Sequence, residues 1–238
     1  MKIVICVEGW TEFHFVSKLV EEMAGYQKIH QDLYCQEGSF YLYGKRGVPE
    51  DNAEINLLLV NCCSDGKVKS FILERLDLFV NKGYSAILGL QDLLPRQYKE
   101  WQIMESTLNK GLDNYGINVS ITLQVMECEA WFLNESTHFI KIDPALTPEN
   151  ILAHTGFNPV ADCAESEIPH PAVLLDEIYR IVGLRWDKRR DSDIPRTINS
   201  LDYDEIFVTV REMSRSLDTF LKKLEEIIVF EKPPQACH

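Results

Sequence analysis

The sequence lacks the features that place a chain in a membrane, and it has few positive charges for its length. No apolar run is long enough to span a bilayer, and the first residues show neither the basic region nor the cleavage pattern of a signal peptide. Lysine and arginine total 24 against 37 aspartates and glutamates, a net charge of −13. This balance argues against a generally basic surface that coats nucleic acid, and a soluble cytoplasmic protein is the expectation.

Several common signatures of enzyme chemistry are also absent. The seven cysteines form no CxxC pair, so they are expected to be reduced thiols and not zinc or redox motifs. The histidines have no HExxH spacing, which argues against a zinc hydrolase. Without a GxxxxGK[ST] sequence, any ATP hydrolysis must come from a partner protein. No serine lies in a nucleophile-elbow pattern.

The charges that are present are unevenly distributed. A basic strip runs from Arg185 to Arg190, whereas the segment 142–179 contains no lysine or arginine and several acids. A local basic strip beside an acidic metal site is compatible with a nuclease. The acidic segment suggests a face that repels phosphate or meets a basic partner, with an ordinary solvated surface as the alternative.

The hydrophobic pattern predicts an α/β fold with a mainly parallel sheet flanked by helices. Continuous apolar runs predict buried strands at 3–7, 84–92 and 119–126, and a strand or short helix at 55–60. Helical periodicity is found at 13–23, 68–80 and 96–112. Strands that alternate with helices favour right-handed crossovers, so the carboxyl ends of the strands are expected at one edge.

The remaining segments complete the predicted organisation. Alternation at 39–43 predicts another strand, and 44–47 is interpreted as a polar, flexible loop. We expect an α/β domain over 1–142 and a helical C-terminal region over 143–230 that packs on it. Within that region the prolines predict a long loop at 159–171, and 204–213 with 217–228 predict a helical hairpin. The tail 231–238 is expected to be disordered.

The opening strand ends in a carboxylate and a glycine before the first helix. Glu8 is expected at the carboxyl end of the strand, Gly9 in a tight turn, and Thr11 as the N-cap of the helix. Glu12 then falls in the first helical turn, within reach of Glu8. An acid in that position is also favoured simply because it complements the helix dipole.

Acidic residues follow three of the predicted strands. Glu8 follows the first, Asp92 closes the strand at 84–92, and Glu127 and Glu129 come directly after the strand at 119–126. If the strands are parallel, these carboxylates and Glu12 converge at one edge of the sheet. A cluster of carboxylates favours a hard divalent cation such as Mg²⁺.

Short motifs along the chain resemble those of a known family. The sequence Val7–Glu12 is similar to the opening motif of Toprim domains, particularly those of OLD-type nucleases. The segments Glu127–Leu133, Trp186–Lys188 and Ser216–Leu221 are similar to a bacterial Toprim-like family, domain of unknown function 4276. The resemblance implies a Toprim/Rossmann-like fold and a phosphodiester chemistry that depends on Mg²⁺ or Mn²⁺.

The resemblance also implies roles for individual residues. Glu8 is a metal ligand or general base, Glu12 matches the second acid of the OLD-type pattern, and Asp92 matches the first acid of the Toprim Asp-x-Asp pair. The chain departs from this pattern at Leu94, where the second aspartate is missing. Lys188 occupies the family's basic position and is expected to stabilise charge on a phosphate.

Either glutamate after the predicted strand at 119–126 can replace the missing acid as a metal ligand. Glu127 and Glu129 are both candidates, and Glu129 is favoured because it precedes the Ala-Trp signature of the family. Its ordinary interpretation is an acid at a helix start, and the ordinary interpretation of Lys188 is a solvated lysine in a basic run.

Three functions are consistent with these residues. The first is a metal-dependent nuclease or related phosphotransfer enzyme, with nucleic acid as substrate, in bacterial antiphage defence beside an ABC-like ATPase. The second is a non-enzymatic Toprim-like subunit, regulatory or toxin-like, in an ATPase complex. The third, a nucleotide-binding protein that uses the same sheet edge without hydrolysis, has the least support.

Overall fold

The protein has an α/β fold built on one six-stranded sheet. The computed structural model describes residues 1–64, 66–190 and 192–228, with the backbone only at 113 and 114. The strands are β1 (Lys2–Val7), β2 (Ile29–Glu37), β3 (Ser39–Gly47), β4 (Ile55–Asn61), β5 (Ala86–Asp92) and β6 (Asn118–Gln124). Their order across the sheet is β3-β2-β4-β1-β5-β6, and all neighbours are parallel except β2 and β3. The predicted fold class is confirmed.

Helices cover both faces of the sheet and form the C-terminal region. The first three are α1 (Trp10–Ala24), α2 (Val68–Asn81) and α3 (Trp101–Asn109). Helices α4 to α9 follow at Glu129–Asn134, Thr137–Ile142, Pro148–Thr155, Ala164–Glu167, Pro171–Arg180 and Asp193–Ser200. The chain continues with α10 (Tyr203–Glu205), a π-helical segment (Ile206–Val210), α11 (Arg211–Met213) and α12 (Arg215–Ile227).

Alternate side chains of each strand enter two different cores. In β1, Ile3, Ile5 and Val7 face α1 and the C-terminal helices, whereas Val4 and Cys6 face α2. Burial on both faces explains why the central strands are continuous apolar runs. The larger core includes buried residues from both the sheet and the C-terminal helices, so the helical region packs directly on the sheet.

The register brings the carboxyl ends of the central strands to one edge. Val7 lies beside Asn61 of β4 and Leu90 of β5, and Asp92 lies beside Gln124 of β6. The segments that leave these strands therefore start close together. This arrangement is the one expected from parallel strands, and it positions the predicted acids.

The structure corrects the sequence interpretation around β2 and β3. Strand β2 was not predicted, and the predicted flexible loop at 44–47 is wrong because β3 continues through Gly47 in antiparallel pairing with β2. Polar residues on β2 hide its strand pattern. Gly47 has a φ of +79°, and a Cβ there would meet the carbonyl oxygen of Ile29 at 2.0 Å, so glycine marks close strand pairing and not flexibility.

The C-terminal region also contains elements that periodicity did not predict. Helix α7 interrupts the predicted loop at 159–171, and α9 was not predicted. The helix predicted at 96–112 is confined to α3, preceded by a short 3₁₀ segment at Tyr98–Glu100. The domain boundary at residue 142 stays a prediction, and the predicted disordered tail 231–238 lies outside the described residues.

Two further observations concern cysteines and membrane spans. The described cysteines at 6, 35, 62, 63, 128 and 163 are free thiols. Within the described part of the chain, each helix is too short or too polar to cross a bilayer.

A substitution at Phe220 tests whether the helical region and the sheet share one cooperative core. Phe220 of α12 is fully buried and stacks on Trp131, with ring centroids 6.4 Å apart. We expect Phe220→Ala to lower the free energy of unfolding by about 3–5 kcal/mol in urea titrations, in a single transition. Val208→Ala, at a position 65% exposed, is the control and should change it by less than about 0.5 kcal/mol. A two-step curve would instead show that the helical region unfolds separately.

Candidate active site

Glu8 is held at the carboxyl edge of the sheet by two backbone donors. Its Oε1 accepts a hydrogen bond from the backbone N–H of Gly66 at 2.6 Å, and its Oε2 accepts one from Asp92 at 2.9 Å. The residue is only 8% exposed. Charge-assisted bonds to backbone groups orient the carboxylate and tie the end of β1 to that of β5.

Glu12 lies on the first turn of α1, and the space that its carboxylate needs explains why residue 9 is a glycine. The N-cap of α1 is Gly9, so the predicted N-cap at Thr11 is wrong. A Cβ on Gly9 would lie 2.9 Å from Oε2 of Glu12, so the glycine leaves space for this carboxylate. Glu12 is only 3% exposed. An acid that merely complements the helix dipole can remain in solvent, so the dipole does not explain this burial.

One carboxylate oxygen of Asp92 is buried without a hydrogen bond to offset its loss of water. This atom is Oδ1, which has no hydrogen-bond partner among the described residues. Burial, together with repulsion from Glu12, raises the pKa of Asp92 well above its usual value, against an opposing effect of Lys188. Ionised Asp92 is therefore destabilised in the folded protein unless a cation binds to it.

Glu127 and Glu129 meet the lysine that the sequence singled out. The Lys188 Nζ lies 3.2 Å from Oε1 of Glu127 and 3.0 Å from Oε1 of Glu129. Glu129 is fully buried and also accepts a hydrogen bond from the indole N–H of Trp186 at 3.2 Å. The other oxygen of Glu127 accepts the backbone N–H of Ala172. The structure thus joins the predicted Glu127–Leu133 and Trp186–Lys188 segments in one site.

The electrostatics of the site show an excess of acid. Burial alone lowers the pKa of Lys188, but the carboxylates of Glu129 and Glu12 outweigh it and raise that pKa overall. Burial raises the pKa of Glu129 despite the attraction of Lys188. Among the described residues, Lys188 pairs directly with Glu127 and Glu129 and also acts on Glu12 and Asp92. Buried carboxylates of this kind are stabilised by protons or by a further cation.

Three neutral polar residues at this edge were not predicted as site residues, and Thr11 was predicted only as a helix N-cap. Thr11 Oγ1, Asn61 Nδ2 and both amide atoms of Gln124 are buried and lack hydrogen-bond partners among the described residues. Gln124 lies directly beside Asp92 in the β5–β6 register. For Asn61 and Gln124, the sequence signal that could have identified them was an amide side chain at the end of an apolar strand. Buried polar groups without protein partners usually contact water or a ligand.

The donor set at this edge fits a hard divalent cation, although its oxygens do not form a closed ligand set. Every acidic candidate offers oxygen, the ligand that Mg²⁺ prefers, and Asp92 Oδ1 is an orphaned carboxylate oxygen. Within the described residues, however, no three of these acids place ligand oxygens within 4.8 Å of one another. The group that meets this distance is His30, Asp32 and Glu50, elsewhere in the fold.

A groove of about 400 Å³ adjoins the acidic edge and has a different character. Its lining comprises three aromatic rings, three cationic side chains and two apolar residues: Trp10, His14, Tyr43, Lys188, Arg189, Arg190, Ile194 and Pro195. The Trp10 and Tyr43 rings lie 5.1 Å apart. Lys188 connects the groove to the acids, since it lines the one and contacts the others.

Comparisons with known proteins leave the family of the chain open. No family model and no curated protein matched the chain. A solved structure described as the putative cell surface hydrolase from Lactobacillus plantarum WCFS1 is similar over 58% of this chain, with 12% identity and a TM-score of 0.33. The match spans 56% of that protein's chain, and similarity at this level carries no functional argument.

Replacing Asp92 by asparagine tests whether its buried charge is uncompensated. A raised pKa means that this group's contribution to stability is full below the unfolded-state pKa and is lost as pH rises through the folded-state pKa. In EDTA at pH 8, Asp92→Asn should therefore increase the free energy of unfolding by about 1–2 kcal/mol, a gain that shrinks toward pH 4.

The measurement is urea unfolding across this pH range, with Asp77→Asn as the control. Asp77 is exposed on α2, so its substitution should leave stability within about 0.5 kcal/mol at each pH. If Asp92→Asn is instead less stable than the unmodified protein at pH 8, then Asp92 is stabilised as an anion and the charge argument is wrong.

Proposed function

We propose that the chain is a metal-dependent, Toprim-type enzyme that cleaves or transfers phosphodiesters of nucleic acid. One observation carries the proposal: a buried excess of carboxylates at the carboxyl edge of a parallel sheet lies next to a basic, aromatic groove. Acids at such an edge suit a cation that faces phosphate, and the groove suits the chain that carries the phosphate. The Toprim resemblance of Val7–Glu12 supports the same chemistry.

The acids at the strand ends would hold the cation. Glu8, already oriented by two N–H groups, and Asp92, with a free carboxylate oxygen, are the proposed main ligands. Glu12 and Glu129 complete the set after rotation of their side chains. When bound, Mg²⁺ or Mn²⁺ polarises a phosphate and lowers the pKa of a water molecule.

Lys188 is the residue proposed to contact the phosphate from the groove side. Its side chain is partly exposed, contacts the acids and lines the groove. A raised pKa keeps it protonated at neutral pH. A phosphate oxygen that enters from the groove would exchange with Glu127, the more exposed of its two carboxylate partners.

A non-enzymatic subunit is the second candidate, and the same lysine favours it. Lys188 already pairs with Glu127 and Glu129, and Leu94 stands where the resemblance expects a second acid. Such an edge would keep its fold, and would bind a cation, without catalysing cleavage. For both candidates we propose an ABC-like ATPase partner, with the segment 142–179, which lacks lysine and arginine, as the contact surface.

A cleavage assay separates the enzyme from the non-enzymatic subunit. We expect the purified protein to cut plasmid or single-stranded DNA or RNA in Mg²⁺ or Mn²⁺, alone or with its ATPase partner. Glu8→Gln and Asp92→Asn should each lower the rate at least about 100-fold, since even outer-shell partners of a metal are worth about 10–100-fold. Glu21→Gln, an exposed acid on α1, should retain full activity.

Metal binding decides the interpretation when no cutting is seen. Calorimetry that detects Mn²⁺ binding lost in Glu8→Gln, without cleavage of any substrate, supports the non-enzymatic subunit. Absence of both cleavage and metal binding at this edge would contradict both the catalytic proposal and the assignment of Glu8 and Asp92 as ligands.

The groove is tested by binding of a fluorescent single-stranded oligonucleotide in EDTA, measured by anisotropy. Tyr43→Ala should weaken binding about 5- to 150-fold, because base–aromatic stacking contributes about 1–3 kcal/mol. Arg190→Ala should reduce the slope of log affinity against log salt by about 0.7, the value for one phosphate contact on a single strand. Tyr26→Ala, at a ring 98% exposed outside the groove, is the control. Equal losses in Tyr26→Ala and Tyr43→Ala would contradict a role for the groove.

A further inference from the structure

A second set of ionisable side chains lies at the opposite edge of the sheet. His30 and Asp32 are alternate residues of β2, so they project from the same face of the strand. Glu50 lies in the short 3₁₀ segment Glu50–Asn52 that follows β3. Each of the three offers a ligand atom, and these atoms lie within 4.8 Å of one another. The site is near the amino ends of β1, β2 and β4, far along the strands from Glu8.

The hydrogen bonds of His30 leave one ring nitrogen directed at Asp32. The Nδ1 lies 2.8 Å from the backbone carbonyl oxygen of Val48. A carbonyl only accepts, so Nδ1 carries the hydrogen and donates it. In a neutral ring Nε2 is then an unprotonated acceptor, and it lies 3.2 Å from Oδ1 of Asp32, a second acceptor. A proton or a metal ion between the two atoms removes this conflict.

The arrangement matches the way proteins prepare a histidine for metal binding. Metal-binding histidines generally donate their other ring N–H to a carbonyl or carboxylate, which fixes the tautomer and the ring orientation. His30 is also only 6% exposed and lies on β2 between β3 and β4, so its position is constrained. A separation of about 3 Å between N and O is that of neighbouring ligands on one ion with bonds near 2.1 Å.

Two lysines at this edge can be displaced by a metal ion. Lys45 Nζ lies 2.9 Å from Oδ1 of Asp32, and Lys2 Nζ lies 3.0 Å from Oε1 of Glu50. Their side chains are 55% and 40% exposed, so both can turn into solvent. Exposed ion pairs of this kind contribute little to stability, and their loss costs little when a divalent cation takes their place.

The neighbouring residues supply further ligands and space. Asn56 of β4 lies beside both Lys2 and His30 in the sheet register, and its Oδ1 is buried without a hydrogen-bond partner among the described residues. A cavity of about 100 Å³ opens beside Asp32, with room for water ligands. One imidazole with carboxylate and amide oxygens favours a first-row transition ion such as Mn²⁺, Fe²⁺ or Zn²⁺ over Mg²⁺ or Ca²⁺.

We propose that His30, Asp32 and Glu50, with Asn56 as a further oxygen donor, form a transition-metal site at the amino edge of the sheet. The ion joins the 3₁₀ segment after β3 to β2 and so fixes the edge hairpin on the central strands. This site is separate from the carboxyl edge and does not depend on the proposed phosphodiester chemistry.

Pulsed EPR of bound Mn²⁺ tests the site directly, because nitrogen coupling reports an imidazole ligand. The full chain is stripped of metal and titrated with Mn²⁺. We expect ¹⁴N modulation from one imidazole in the unmodified protein and in Glu8→Gln, and its loss in His30→Gln. His14 lies in the groove near the other edge, so persistence of the modulation in His30→Gln would assign it elsewhere and overturn the proposal.

A second variant tests the site even if substitution of the buried His30 disturbs folding. Glu50 is half exposed, so Glu50→Gln should fold normally by circular dichroism and weaken Mn²⁺ binding by calorimetry at least about 10-fold. Asp51→Asn, the adjacent exposed acid, should bind as the unmodified protein does. Equal affinity in Glu50→Gln and Asp51→Asn, or Mn²⁺ bound without nitrogen modulation in the unmodified protein, would contradict the site.

Discussion

The ion pairs of Lys188 with Glu127 and Glu129 are the contacts on which the candidate active site depends. They join the C-terminal region, which contributes the ammonium group, to the end of β6, which contributes the carboxylates. Burial disfavours each of these charges, and their mutual attraction offsets that cost. Because the nearby Glu12 also acts on Lys188, the lysine's charge is distributed over more acid than it can neutralise.

This imbalance connects structure to the proposed chemistry. Burial and the neighbouring carboxylate of Glu12 raise the pKa of Asp92, so the surplus of buried carboxylate disfavours the ionised form of this residue. A divalent cation held by these acids would relieve the repulsion, and it would compete with protons for the same oxygens. Two backbone N–H donors, from Gly66 and Asp92, fix the orientation of the Glu8 carboxylate at this edge.

The two ends of the sheet differ in what holds them together. At the carboxyl end, acids from separate strands meet because parallel strands finish at one edge. At the amino end, His30 and Asp32 come from one strand and meet Glu50 only because β3 returns antiparallel and brings its following segment alongside β2. The first arrangement follows from a strand–helix pattern, and the second requires knowledge of which strand pairs with which.

Local pattern was sufficient for the central strands and for the acids that end them, because burial on both faces produces unbroken apolar runs and a carboxylate then marks the strand end. The local pattern did not predict β2, because His30 and Asp32 interrupt its apolar residues. The alternation that places these two residues on one face of the strand was therefore not recognised. Tertiary structure alone decided that Lys188 lies 3.0 Å from Glu129. That contact spans 59 residues of chain and depends on how the helical region packs on the sheet, which no local periodicity encodes.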